Sequence, residues 1–316
     1  MPIFTTRRSD SVLVRGERQL IDDMRRWLGN VSPRTPFGIG DDCAVLPAVR
    51  RAQLVTTDPV IYGRHFDDSV PARAAGAKLL KRNLSDIAAM GGRPIAAVLS
   101  LALAPATSLS WLRGFYLGLA ACARRHRVKV VGGDLTQAAA GFFGAFLTLH
   151  GEATGPRVVT RTGARAGDAI FTTGRLGGSR LGHHYKFIPR LPEGAWLAGQ
   201  KEVVAMMDLS DGLAKDVWAL TPPGLVASLD PARLPVSAAA RIVAARNGRP
   251  AWEHALTDGE DYELLFVVRA RGGTEGFAAR WARRFRTPLH CIGQFARKLQ
   301  PGHVHWESLH GYEHLR

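Results

Sequence analysis

A small set of acidic side chains in this chain stands beside glycine or small residues at the ends of apolar runs. They are Asp41 and Asp42 in "GIGDDCAVL", Asp58 in "TTDPV", Asp86 in "NLSDIAAMGG", Asp134 in "VVGGDLT", Asp208 and Asp211 in "MMDLSDGL", and Glu260 and Asp261 in "GEDYELL". With 42 basic and 27 acidic residues in the chain, carboxylates in such low-charge surroundings need compensation, because an unpaired buried carboxylate is costly. Three kinds are open. Each Asp alone suits an N-cap or an Asx-turn. An arginine is a second partner, and Asp86 follows Arg82 by four residues, which is ion-pair spacing on a helix. A shared divalent cation is the third: two carboxylates about 4 Å apart repel by roughly 4 kcal/mol at an effective dielectric near 20. Oxygen-only ligands favour Mg²⁺ over Zn²⁺, and Mg²⁺ on carboxylates commonly takes phosphate as its other ligand, which points to phosphoryl transfer.

The common phosphate cradles are missing. Neither GxxxxGK[ST] nor a GxGxxG opening a helix occurs. The nearest glycine-rich stretch, "TTGRLGGSRLG" from Thr172 to Gly182, reads either as a turn whose N–H groups hold a phosphate or as a tight strand-to-helix turn. The net charge of +15 and pI near 10.6 suit an anionic partner. The arginines are scattered, however, and no nucleic-acid-binding motif accompanies them, so specific nucleic-acid binding is not expected. Cys43, Cys122 and Cys291 are too far apart for a disulfide framework and read as small buried side chains in a reducing compartment. No apolar run approaches the roughly 20 residues that cross a bilayer, and "MPIFTTRRSDSVLVRG" lacks a signal-peptide core. A cytoplasmic location without membrane partners is the default expectation.

These acids must be positioned by strands and helices that interleave. "ERQLIDDMRRWLG" spaces Leu20, Met24 and Trp27 or Leu28 as a helix that Gly29 ends, and "RAAGAKLLKRNLSDIAAMGG" puts Leu80, Leu84 and Ile87 on one face. "AQLVTTDPV", "AAVLSLAL" and "GFFGAFLTLHGEA" read as strands, "SLSWLRGFYLGLAACARRH" as a long helix, and "VKVVGGDLT" as a strand entering a glycine turn. After the Gly-, Arg- and Thr-rich "ATGPRVVTRTGARAGD" come strands at "DAIFTTG", "GLVASLD" and "DYELLFVV", a turn and helix at "LGGSRLGHHY", and a loop entering a helix at "AMMDLSDGLAKDVWAL". An α/β or α+β protein of two domains, residues 1–155 and 156–316, is expected.

In order, "GIGDDCAVL", "TTDPVIYGRHF", "KLLKRNLSDIAAMGGRP", "VVGGDLT", "TRTGARAGD", "TTGRLGGS", "DLSDGL", "GEDYELLF" and "GYEH" resemble the motifs of the thiamine-monophosphate kinases. That family belongs to the aminoimidazole ribonucleotide synthetase-like superfamily, and the resemblance runs from about Gly38 to His314. It implies a two-domain fold: an N-terminal mixed sheet with helices that pairs across a homodimer, and a C-terminal α/β domain completing the nucleotide and substrate site. It implies ATP-dependent phosphorylation of thiamine monophosphate to thiamine diphosphate, with several Mg²⁺ ions. By motif position, Asp42, Asp58, Asp86, Asp134, Asp208 and Asp211 would be metal ligands, with Thr56 and Thr57 adding oxygens. Gly133, Asp134, Arg161 and Ser210 would contact ATP. His65, Glu260 and Tyr312 would contact the acceptor. Asp41 would hydrogen-bond its turn or support the metal site indirectly.

Each role has chemical sense. His65 can bond a phosphate, Glu260 can meet an aminopyrimidine, Tyr312 can stack on a cationic heterocycle, and Arg161 can fork a polyphosphate. Each residue type also has an ordinary structural use. The chain departs from the family pattern at Leu135 and Gln137, at Lys186 and Phe187 in "HYKFIPR", and at Lys81 and Arg82, where small apolar residues are usual. Two alternatives follow: another ATP-using member of the superfamily with a changed acceptor, or a catalytically silent basic binding protein on the same fold. The metal ligands are intact, but an N-terminal glycine-rich segment with a reactive cysteine, expected for selenophosphate synthesis, is absent.

Overall fold

The computed structural model describes residues 2–35, 37–39, 43–46, 48–270, 273–303, 309 and 311–312. Asp41 and Asp42, and the last two residues of "GYEH", lie outside them. Two compact units form, Met1–Ile87 with Arg93–Glu152, and Ala88–Gly92 with Ala153–Arg316.

In the first unit, helix α1 (Glu17–Leu28) buries Leu20, Met24 and Leu28. Strand β1 (Gln53–Ile61) precedes helix α2 (Ala72–Ala89), strand β2 (Gly92–Leu103), helix α3 (Leu109–His126), strand β3 (Lys129–Gln137) and strand β4 (Phe143–Ala153). Ser108 caps α3 by accepting the Trp111 N–H. The sheet order is β1-β4-β2-β3. β1 and β4 run antiparallel, whereas β2 and β3, joined through α3, run parallel. Inward residues such as Val60, Leu101 and Leu147 are buried, as are Leu80 and Leu84 of α2 and Leu112 and Phe115 of α3. Contrary to the expected turn, β3 continues through Gly132 and Gly133. A Cβ at Gly133 would collide with the Leu99 carbonyl opposite it, so the glycine permits the close approach of the two strands.

The second unit contains strand β5 (Ala169–Thr173), a short helix α4 (His183–Lys186), helix α5 (Leu191–Ala198) and strand β6 (Val203–Asp208). The short helix α6 (Leu213–Asp216), strand β7 (Val226–Leu229), helices α7 (Ala238–Asn247) and α8 (Ala251–Thr257), strand β8 (Leu264–Val268), helix α9 (Glu275–Arg284) and strand β9 (Leu289–Ala296) follow. The sheet order is β6-β8-β5-β9-β7, and its strand pairs are antiparallel. One face carries Leu265, Val267, Met207 and Ile170 into a core with Leu213, Leu256 and Ala240. The other carries Leu264, Phe266, Phe171 and Met206 into a core with Leu197, Phe277 and Trp281. Burial on both faces accounts for the uninterrupted apolar run of β8. It also explains "AMMD", expected as loop: these residues end strand β6, with apolar neighbours on both sides.

Candidate functional site

In the first unit the candidate acids sit on regular elements. Alternation along β1 sends Leu54, Thr56, Asp58 and Val60 to one face. There Arg82 of α2 meets the Asp58 carboxylate, Nη2 to Oδ1, at 3.1 Å and donates its other terminal nitrogen to the Pro59 carbonyl at 2.6 Å. One turn later, Asp86 Oδ2 accepts the Thr56 hydroxyl at 2.5 Å. Thus i, i+2 on the strand faces i, i+4 on the helix, and Arg82, which helix spacing offered to Asp86, is a partner of Asp58. Its guanidinium is 11% exposed and the carboxylate 24%, so the pair is shielded enough to resist solvent screening.

Thr57 points to the opposite face, where its hydroxyl donates to the Leu147 carbonyl at 3.2 Å and accepts from Thr148 at 3.3 Å. Asp134 is exposed on β3, opposite Ser100, and accepts the Thr136 hydroxyl at 3.2 Å. Two strands separate β3 from β1, about 14 Å at usual strand spacing, so the sheet does not bring Asp134 to Asp58. Beside Gly133 and Asp134 lies a mainly apolar cavity of about 110 Å³ lined also by Ile21, Met24, Leu99 and Tyr116. His65 Nδ1 accepts the Ile61 N–H at 3.0 Å. That bond requires the neutral tautomer with its proton on Nε2, a donor suited to an anion.

In the second unit the candidates gather around the turn after β6. Asp208, 4% exposed, ends the strand. Asp216 Oδ2 then accepts the N–H groups of Ser210 at 3.0 Å and Asp211 at 3.1 Å. Burial, followed by the charges of Asp208 and Asp211, pushes the Asp216 carboxyl up to about 8, against the lowering by those two N–H groups. The turn is bound to the "GEDYE" segment: Glu260 N–H donates to Ser210 O at 2.8 Å, Tyr262 N–H to Leu209 O at 2.8 Å, and Leu209 N–H to Glu263 O at 2.9 Å. Arg161 is exposed. Its neighbour Thr160 accepts the Met206 N–H at 2.9 Å, which lays this segment along the edge strand β6.

Glu260 and Tyr262 both have left-handed backbone, with φ of 55° and 51°, a conformation that costs about 1 kcal/mol or more for a residue with a Cβ. Their side chains meet, the Tyr262 hydroxyl donating to Glu260 Oε1 at 3.2 Å. His184 Nδ1 lies 3.8 Å from the other carboxylate oxygen. The Tyr262 ring stacks on Phe187 at 4.0 Å, so the departure at Phe187 buttresses the residue that holds Glu260. Tyr312 N–H donates to Asp211 O at 2.9 Å, and Lys215 Nζ bonds the Tyr312 carbonyl at 2.8 Å and Asp211 Oδ2 at 2.6 Å.

The glycine-rich turn is not a phosphate cradle. The N–H of Gly177 is taken by Asp261 Oδ1 at 2.8 Å and that of Gly178 by Asp258 Oδ2 at 2.7 Å. Asp261 is buried, its other oxygen has no hydrogen-bond partner, and burial holds its carboxyl well above the usual range. Sequence reasoning missed Asp216, Lys215, Tyr262 and His184. The left-handed backbone around Asp261 carries no residue-type signal, and the other contacts depend on segments far apart in sequence. Among the described residues, no group of three or more His, Cys, Asp or Glu side chains is arranged to hold a metal ion.

Comparison with known proteins agrees with this architecture. Residues 40–153 match the model for the AIR synthase related protein, N-terminal domain. The chain is 39% identical over 249 residues to the thiamine-monophosphate kinase of Rhodopirellula baltica, covering 75% of this chain and 77% of that one. A crystal structure of thiamine-monophosphate kinase from Stenotrophomonas maltophilia K279a superposes with a TM-score of 0.72 at 30% identity, covering 88% of this chain and 93% of that one. The structure of AaThiL complexed with AMPPCP and TMP gives 0.69 at 30% identity, covering 93% of each.

Proposed function

Since the chain belongs to the thiamine-monophosphate kinase family, we propose that it transfers the γ-phosphoryl group of ATP to the phosphate of thiamine monophosphate, producing thiamine diphosphate and ADP. The observation that carries this reading is the bond from Glu260 N–H to Ser210 O. It ties a candidate acceptor residue to a candidate nucleotide residue through backbone, as direct transfer between two bound substrates requires.

In this reading the first unit handles the nucleotide and its charge. Arg82 pairs with Asp58 and aims it, and Thr56 fixes one oxygen of Asp86. The cavity beside Gly133 supports a nucleotide base against β3, and His65 offers its Nε2 proton to a phosphate. In the second unit, Ser210 and Arg161 bind polyphosphate, Glu260 accepts hydrogen bonds from the aminopyrimidine, and Tyr312 stacks on the cationic ring.

The donor chemistry fits Mg²⁺. Thr56, Asp58, Asp86 and Asp134 present only oxygens, as do Asp208 and Asp211, and Asp216 is driven to hold a proton beside the latter two. Thr56, Asp58 and Asp86 would hold ions in the first unit and Asp208 and Asp211 in the second, with Asp42, Thr57 and Asp134 assigned by motif alone. Bound Mg²⁺ neutralises charge on the transferring phosphate. Homodimerisation is part of the same proposal: Val55, Val98 and Phe146 are exposed on the sheet of the first unit, a face that a second copy would cover. No helix among the described residues is long and apolar enough to cross a membrane. Cys122 is buried as expected, whereas Cys291 is half-buried and Cys43 exposed; three free thiols suit a reducing, ATP-supplied compartment such as the cytoplasm.

Incubation with ATP, Mg²⁺ and thiamine monophosphate, followed by chromatography, tests the reaction. Thiamine diphosphate should form one for one with ADP. ADP formed without thiamine diphosphate would contradict the acceptor and direct attention to Leu135, Gln137 and Lys186.

A further inference from the structure

We infer that Lys215 is a positioning residue, a clasp that holds Tyr312 against the Asp211 turn and thereby sets the affinity for the acceptor. The inference rests on the acceptor role given above to Tyr312. Lys215 stands on the short helix α6 and spends its ammonium on two groups, the Asp211 carboxylate at 2.6 Å and the Tyr312 carbonyl at 2.8 Å. Tyr312 returns a bond, its N–H donating to the Asp211 carbonyl at 2.9 Å. Residue 312 is therefore fixed at both backbone ends by one turn of the chain.

Two further contacts show that this docking is built. Leu309 packs against the core that includes Leu213, Ala214 and Val217, anchoring the segment just before it. At Gly311, a Cβ would stand 2.5 Å from the Asp211 carbonyl and 2.9 Å from Lys215 Cβ, so only glycine lets the backbone lie flat on the turn. The tail thus has an apolar anchor at Leu309, a flat crossing at Gly311 and an ionic clasp at Tyr312. Tyr312 is 37% exposed, and its two backbone bonds set where its ring projects. Asp211 is a candidate metal ligand and Tyr312 a candidate acceptor contact, and Lys215 bonds both.

Hydrogen–deuterium exchange without ligands, paired with initial-rate kinetics, tests the clasp on Lys215→Met and Lys215→Arg. In Lys215→Met, which keeps the apolar stem and removes the donors, the Tyr312 amide should exchange about tenfold faster, as expected for loss of a hydrogen bond to a charged group. The KM for thiamine monophosphate should rise about tenfold on the same ground, with the KM for ATP unchanged. Lys215→Arg, which restores donors, should recover most of both. Unchanged exchange in Lys215→Met would overturn the clasp. Equal rises in both KM values would overturn the acceptor role and put Lys215 on the nucleotide side through Asp211. Faster exchange in a protein whose wild type makes no thiamine diphosphate would keep the clasp, overturn its role in acceptor affinity, and separate this failure from that of the kinase reading.

Discussion

The acids on β1 and α2 and the acids after β6 are compensated in different ways. In the first unit a charge meets a charge and a hydroxyl, Arg82 on Asp58 and Thr56 on Asp86. All four side chains project from a strand and a helix fixed by their own apolar rows. In the second unit the acids stand on a turn. Two N–H groups and one lysine serve Asp216 and Asp211, and Asp216 is left protonated up to about pH 8. The turn in turn holds Glu260 and Tyr312. Rigid elements keep a charge array in place whether or not ligands are bound. A turn bonded to acceptor residues passes any disturbance on to them. Substitutions at Asp58 and Arg82 should therefore act on turnover and stability, and substitutions at Glu260 and Tyr312 on acceptor affinity.

The largest expected effect is on Asp58. Asp58→Asn should lower turnover by about 100- to 1,000-fold, the usual loss for a group aimed at developing charge, with circular dichroism unchanged. Near-native turnover at limiting Mg²⁺ would break the comparison from the first unit's side. Next is Arg82→Met, which takes the guanidinium away from the shielded Asp58 carboxylate and the Pro59 carbonyl. It should lower unfolding free energy by roughly 2–3 kcal/mol, somewhat below the cost for a fully buried pair, and added Mg²⁺ should restore part of it in thermal melts. A smaller effect belongs to Asp261. Its folded pKa is raised, so its contribution to stability is greatest below the ordinary carboxylate value and is lost as pH rises toward the raised one. Asp261→Asn, which mimics the neutral acid, should melt higher than wild type at neutral pH, with the gap closing near pH 4. A gap that widened on acidification would contradict the protonated state.

The alternation of β1 and the leucine rows of α2 made the strand–helix pair legible, and the acids stood out because their neighbours are small or apolar. Which partner each carboxylate meets was not legible, since Arg82 reaches Asp58 only through the packing of α2 on the sheet. The glycines misled twice. Gly132 and Gly133 looked like a turn but allow close strand pairing, and the 172–182 stretch looked able to bind phosphate but gives its N–H groups to Asp258 and Asp261. β6 and β9 were hidden for a different reason. Burial on both faces removes the alternation that marks a strand, and "LHCIGQFA" mixes half-buried polar and apolar residues. Asp216 carries no local signal, because its importance comes from backbone groups five or six residues away, and Tyr262 none, because its ring is held by Phe187 from a distant segment.

The most direct test is initial-rate kinetics of Glu260→Gln, titrating thiamine monophosphate at saturating ATP and ATP at saturating thiamine monophosphate. The division of labour predicts a KM for thiamine monophosphate about tenfold higher, equivalent to roughly 1.4 kcal/mol, with the KM for ATP and turnover at saturation unchanged. A fall in turnover that no concentration of thiamine monophosphate restores, or an equal rise in the KM for ATP, would contradict it.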